Sequence, residues 1–327
     1  MGQLTLLQII DAVTGELGLV QPSSVISAGD LQTIQLYNLL NREGDNLRRT
    51  HQWTALQSLF NLNVGAPIVT TGTVTNGSST ISSVSFSAGV PIANIYVVTG
   101  SSIPVAARVT AVSTAAGTVT MDMVGTGTAT ATSITFGQDT YQGPTNYDFS
   151  INRTAWDRTN RWELLGPDSP QMDEWHRSGI VTTGPRRHFR WVGDVQPTGT
   201  GAFYNYRIWP PPQTIDTPFQ IAWEYISTAW VESSAGVGQN SFLADTDVPI
   251  LDSQALILGL KWRFLQAKGS PVAASMQTEY LDYVSQLVAR DGGAPTLSMK
   301  RRIYPLFITP ANVQDGFWPG PTGPNTG

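Results

Sequence analysis

Few residues in this chain have the type and spacing that chemistry needs. His51, His176 and His188, the only histidines, fall in separate segments, and none stands beside a nucleophile in a recognisable elbow. They read as packed or exposed structural imidazoles, with no catalytic residue among them. The chain has no cysteine, which removes disulfides and thiolate metal sites. With the histidines scattered, no metal ligand set and no cofactor are expected. Asp245-Thr246-Asp247, with Asp252 further on, offers the oxygens a metal would take. It lacks the glycine and terminal glutamate of a calcium loop and reads as caps and solvated loop acids. Gly125-Thr126-Gly127 has no third glycine and opens no helix, so it is not a phosphate cradle.

Two basic clusters remain. Arg186, Arg187 and Arg190 sit beside Trp191 on an expected strand. They are interface candidates, and partner carboxylates are favoured over DNA because a guanidinium pairs bidentately and arginine is enriched at protein interfaces. Lys300, Arg301 and Arg302 lead into Ile303, Tyr304, Phe307, Phe317 and Trp318 within a segment interrupted by proline and glycine. This segment, 294–327, is expected to stay extended and to bind a partner through those charges and apolar anchors. A net charge of −5 argues against a protein that gains affinity by neutralising phosphates. No secretory leader is recognisable, and the longest apolar run, 255–265, contains Lys261 and Arg263 and is too short for a bilayer, so a soluble protein without a membrane partner is expected.

The elements that would position these residues divide into a host and an insert. A capping box at Thr5 and Gln8 starts a helix that ends at Gly18, and Ser27 with Asp30 starts a second that ends near His51. A strand over 53–64 follows. Further on, 147–156 and 161–165 read as a hairpin, Ser169-Pro170 opens a short helix that Gly179 stops, and strands at 187–192, 203–209 and 219–226 complete one antiparallel sheet. Two closing helices, 252–268 and 270–290, form an αα-hairpin through Gly269. Between the halves, residues 65–138 carry only Arg108 and Asp122 as charges, amid Thr, Ser, Gly, Ala and Val. Six β-branched runs and an Asn76-Gly77 turn signal predict a folded β module there. The fold class is therefore α+β: a helical bundle packed with an antiparallel sheet (1–64 and 139–293), an inserted all-β sandwich or barrel (65–138) and an extended tail (294–327). The insert should be joined by adjacent strand ends that rejoin one host sheet.

Taken in order along the chain, the host segments resemble the head-to-tail adaptor, or connector, proteins of short-tailed bacteriophages. The resemblance is carried by Thr5 to Leu19, by Leu39-Leu40-Asn41-Arg42-Glu43-Gly44 through Trp53, by Thr154-Ala155-Trp156-Asp157-Arg158-Thr159-Asn160-Arg161-Trp162, and by Gly166-Pro167-Asp168-Ser169-Pro170 with Trp175 and Gly184-Pro185-Arg186-Arg187. It continues through Ala244-Asp245-Thr246-Asp247-Val248-Pro249, Gly259-Leu260-Lys261-Trp262-Arg263, Ala267-Lys268-Gly269 and Ala289-Arg290-Asp291-Gly292-Gly293. It implies a virion structural protein of the neck, without enzymatic activity, that assembles in the host cytoplasm as a ring of about twelve copies with cyclic symmetry. The ring would join portal protein to a tail hub or nozzle protein and give DNA a channel without binding it specifically, with the C-terminal tail on the portal. Residues 65–138 depart from the simpler members and look like a Thr/Gly-rich module that decorates phage structural proteins. A different reading makes that module a carbohydrate-binding adhesin and the host its tail anchor.

Overall fold

The computed structural model describes residues 3–179, 187–193, 205–213 and 218–292. Arg186 and the segment 294–327, with Lys300, Arg301, Arg302, Ile303, Tyr304, Phe307, Phe317 and Trp318, lie outside the described residues. Helix α1 (Leu6–Leu17) starts at the expected capping box: the Thr5 hydroxyl accepts from Gln8 N, and Thr5 N donates to Gln8 Oε1 at 3.0 Å. Gly18 ends it in the left-handed conformation, φ 66°. Helix α2 (Leu31–Thr50) begins where Asp30 Oδ2 accepts from Thr33 N at 2.8 Å.

A 3-10 turn at Thr54–Leu56 leads into strand β1 (Gln57–Val64), whose Leu62 and Val64 point inward while Asn61 and Asn63 face out. The insert follows with β2 (Ile68–Val74), β3 (Thr80–Ile81), β4 (Tyr96–Gly100), β5 (Val109–Ser113), β6 (Thr118–Met121) and β7 (Ala129–Gln138). These form two antiparallel three-stranded sheets, β2-β7-β4 and β3-β6-β5. Val74, Ile81, Val98, Val109, Ile134 and Phe136 from both sheets share one apolar cluster. Neither sheet closes into a barrel. The Asn76-Gly77 turn is present, with Ser78 N donating to Thr75 O at 3.1 Å, but only Gly77 takes a positive φ. It is therefore a turn of the type II kind and not the doubly left-handed hairpin turn.

After the insert come β8 (Thr140–Gln142), β9 (Tyr147–Ser150), β10 (Trp156–Asp157), β11 (Trp162–Glu163), α3 (Pro170–Arg177), β12 (His188–Val192), β13 (Asn205–Trp209) and β14 (Phe219–Ser227). Three expectations need correction here. The strand expected over 147–156 is broken: Arg153 turns left-handed, φ 64°, and the Thr154 hydroxyl donates to Ile151 O at 2.7 Å, so β9 and β10 pair separately along β14. The strands of 187–192, 203–209 and 219–226 do not make one sheet. β14 pairs with β1 over eight residues, whereas β12 and β13 join β8 in a second sheet. The reason is burial. Ile221, Trp223 and Tyr225 on β14 and Phe189, Tyr206 and Ile208 on the other sheet must each cover an apolar face, and they do so against one another. Tyr206 and Trp223 stack with centroids 4.2 Å apart and planes 9° apart. It follows that the insert leaves from one sheet, at β1, and returns to the facing sheet, at β8, so it does not rejoin a single sheet.

The chain closes through β15 (Val231–Glu232), β16 (Gly238–Gln239) and β17 (Val248–Pro249) into α4 (Ser253–Ala267) and α5 (Ala273–Asp291). Helix α4 buries Ala255 through Leu260 continuously, then Trp262 and Phe264, because α1, α2 and α5 pack around it. Its two cations are paired, Lys261 with Glu16 and Arg263 with the fully buried Glu43. No described helix is long and apolar enough to cross a membrane.

Candidate functional site

The polar side chains converge where α3 lies over β12, at the root of the insert. Strand β12 alternates: Phe189 faces the aromatic core, while His188 and Arg190 face α3. On α3 the buried residues are Asp173 and His176, one turn apart on the same side. The two periodicities mesh, so that Asp173 meets Arg190 and His176 meets His188. This helix is thus held down by a polar face.

Asp173 Oδ2 accepts from Arg190 Nη1 at 3.0 Å and lies 3.6 Å from Arg207 Nη1. Arg207 in turn reaches Asp139 Oδ2, 3.9 Å from its Nε. Asp139 has no exposed surface and receives Arg108 from the insert in a bidentate pair, with Nη1 to Oδ1 at 3.1 Å and Nη2 to Oδ2. Arg177 Nη1 lies 3.7 Å from the same carboxylate, and the Thr140 hydroxyl donates to it at 2.7 Å. Burial lowers the pKa of the Arg207 guanidinium, with the charge of Arg108 next in importance and that of Arg177 adding, while Asp139 and Asp173 oppose the shift. The other charge of the insert, Asp122, accepts from Arg108 N at 2.7 Å. Both charges of residues 65–138 are therefore committed to the root of the insert.

The interface candidates are placed as follows. Arg187 lies over the Phe219 ring at 4.1 Å and 3.9 Å from Asp157 Oδ2, and Arg190 is held by Asp173. Arg187 and Arg190 thus each approach a carboxylate of their own chain. Asp157 itself shapes that turn, accepting from Thr159 N and Asn160 N at 3.0 and 2.8 Å.

The histidines are not all scattered. The rings of His176 and His188 have centroids 3.9 Å apart and are tilted by 36°, and Asp168 Oδ2 lies 3.6 Å from His176 Nε2 and 3.3 Å from His188 Nδ1. The expectation of dispersed imidazoles fails because Leu165 to Asp168 is clasped along β12: Phe189 N donates to Leu165 O at 2.9 Å, and Asp168 N to Phe189 O at 2.8 Å. Gly166 permits that approach, since a Cβ there would meet Phe189 O at 2.5 Å. His51 is remote from this group and faces Asp291 at 3.4 Å. Sequence reasoning did not mark Asp139, Asp168 or Asp173. The signal available was the spacing of Asp173 with His176 on a helix and of His188 with Arg190 on a strand.

The acids of 245–252 behave as caps. Asp245 accepts from Ser24 Oγ, Val25 N and Ile26 N, Asp247 from Leu243 N and Ala244 N, and Asp252 from Ala255 N. No protein-family model matches this chain, and no curated protein matches it.

Proposed function

We propose that this chain is a subunit of a ring-shaped head-to-tail adaptor in a bacteriophage virion, joining portal and tail and giving DNA a channel. The observation that carries the reading beyond sequence resemblance is a pair of unlike apolar surfaces left open on one subunit. One lies on the connection from α1 into α2, where Val20 and Leu31 are 86% and 84% exposed, with Ile26 and Ile34 also open. The other lies on α3, where Met172 and Trp175, three residues apart on one side of the helix, are exposed. An exposed tryptophan and clustered aliphatics favour protein contacts. Two different surfaces suit a heterologous, head-to-tail contact, the kind that closes into a ring. In this reading 65–138 is a β-sandwich module outside the ring-forming body, and the net charge of −5 per chain, multiplied around the ring, lets DNA pass without being held.

The rival reading, a receptor- or carbohydrate-binding adhesin anchored by its host domain, draws on the same low-charge module. Electron microscopy of the purified protein separates the two. Closed rings of high rotational symmetry support the adaptor, whereas trimers with projecting β modules support the adhesin and overturn the proposal.

A further inference from the structure

We propose that Asp168, His176 and His188 form a binding site for one divalent transition ion of the zinc class, which pins α3 to β12. Their ligand atoms all lie within 4.8 Å of one another. Two of the three separations, 3.3 Å from Asp168 Oδ2 to His188 Nδ1 and 3.6 Å to His176 Nε2, are close to the edge of a tetrahedron, and the rings, with centroids 3.9 Å apart, would part to about 5 Å around the ion. With metal–ligand bonds of about 2.0–2.1 Å, that edge is about 3.3 Å. The same separations are too long for good hydrogen bonds, whose N–H···O distances run to about 3.2 Å. Accordingly His176 Nε2 and His188 Nδ1 are buried nitrogens with no hydrogen-bond partner, and the His176 residue is only 8% exposed. An unpartnered buried nitrogen is costly, and two aimed at one carboxylate oxygen call for something between them. A cation satisfies all three groups at once.

The donor set selects the ion. Two imidazoles and a carboxylate suit zinc and its neighbours better than magnesium or calcium, which take oxygen ligands. Backbone geometry pre-forms the site: the clasp of Leu165 to Asp168 on β12 fixes the carboxylate beside His188, and the N-cap at Ser169 with Pro170 sets the start of the helix that delivers His176. The side chains of Asp168 and His188 remain 13% and 21% exposed, which leaves water a route to a fourth position. The site is structural in this proposal. It gives α3 a tie at its C-terminal turn to complement the tie of Asp173 to Arg190 one turn earlier.

The test uses the full chain, stripped with chelator and titrated with Zn²⁺ and Co²⁺. Saturable binding of one ion per chain is expected, with the visible absorption of tetrahedral cobalt. Asp168→Asn, His176→Gln and His188→Gln should each weaken binding by roughly a hundredfold or more, the upper range for loss of even an outer-shell partner. Absence of saturable binding, or affinity unchanged in all three variants, overturns the site. A second measurement decides the matter should those variants misfold. His51→Gln leaves His176 and His188 as the only histidines. In that protein both imidazole ¹⁵N signals should shift on adding one equivalent of zinc, and a spectrum in which either signal stays put overturns the proposal.

Discussion

The Arg108 guanidinium, the only cation in residues 65–138, grips the carboxylate of Asp139, the first residue after the insert and one with no exposed surface. The insert is therefore joined to the host by a buried ion pair as well as by two strands. Removing one partner of such a pair strands a buried charge, at a cost of about 3–5 kcal/mol. Arg177 and Arg207 stay within 3.9 Å of Asp139 and soften the loss. Arg108→Met should accordingly destabilise the protein by about 3 kcal/mol, and adding Asp139→Asn should weaken it further, because Arg177 and Arg207 would then lose the carboxylate they approach. A denaturant-melt cycle measures both, and a wild-type melt for Arg108→Met would show that the pair contributes nothing.

Because β1 and β8 belong to facing sheets, deletion of 65–138 needs more than a tight turn. Facing sheets stand about 10 Å apart, so a flexible Gly/Ser bridge of about four residues or more is required. The deletion also takes Arg108 from Asp139, leaving it Arg177 and Arg207. The expected result is a cooperatively folding host, less stable than the full chain and weakened further by Asp139→Asn. All ten tryptophans lie outside 65–138, so near-ultraviolet circular dichroism of the deleted protein reports the host alone. Soluble aggregate without a cooperative melt would mean that the two parts share a core.

What could be read from the sequence was local. The capping box of Thr5 and Gln8, the Asp30 cap and the Ser169-Pro170 start each rest on contacts three residues apart, and each stands where it was expected. The six β runs of the insert, 68–74, 80–84, 95–98, 105–112, 118–123 and 131–136, correspond to β2 through β7: the first keeps its bounds, β3, β5 and β6 are shorter, and β4 and β7 run longer. What could not be read was which sheet a strand joins. Alternation at Phe219, Ile221, Trp223 and Tyr225 says that one face is buried but not what covers it, and the cover proved to be the second sheet. The same limit hid the His176–His188 pair, since helix and strand periods place residues on faces without saying which faces meet.

Gly44 tests how closely the α2 packing is fixed. A Cβ there would sit 2.1 Å from the Trp230 ring, which is fully buried. Alanine improves helix propensity by about 1 kcal/mol, while overpacking costs about 1–3 kcal/mol. With the indole held edge-on by Phe242 at 5.2 Å, it has little room to retreat, and packing should win. Gly44→Ala is expected to lower stability by about 1–2 kcal/mol. A higher melting temperature for this variant would mean that the contact is slack.

Asp245 makes one part of the acid limb predictable. Burial alone would raise its pKa, but hydrogen bonds from Ser24, Ile26 and Val25 outweigh that and hold it below the usual 3.8. A carboxyl whose folded pKa is depressed adds stability above its unfolded pKa and loses it as pH falls through the folded value. The contribution should thus fade below 3.8, and Asp245→Asn should show a shallower fall of melting temperature there. Parallel curves for the two proteins would show that the carboxylate makes no difference between folded and unfolded chain.

The segment 294–327 carries the proposal's strongest claim about a partner. Lys300, Arg301 and Arg302 supply charge for acidic groups, and Tyr304, Phe307, Phe317 and Trp318 supply apolar anchors, within a stretch whose prolines oppose helix formation. An adaptor that uses this segment on the portal gains contacts separate from those that close its own ring, so the two functions should come apart on truncation. Chain ending at Gly293 is expected to melt as the full chain does and to form rings still, while binding to purified portal protein falls. Loss of the rings would instead assign the segment to a neighbouring subunit, and unchanged portal binding would remove it from the docking surface.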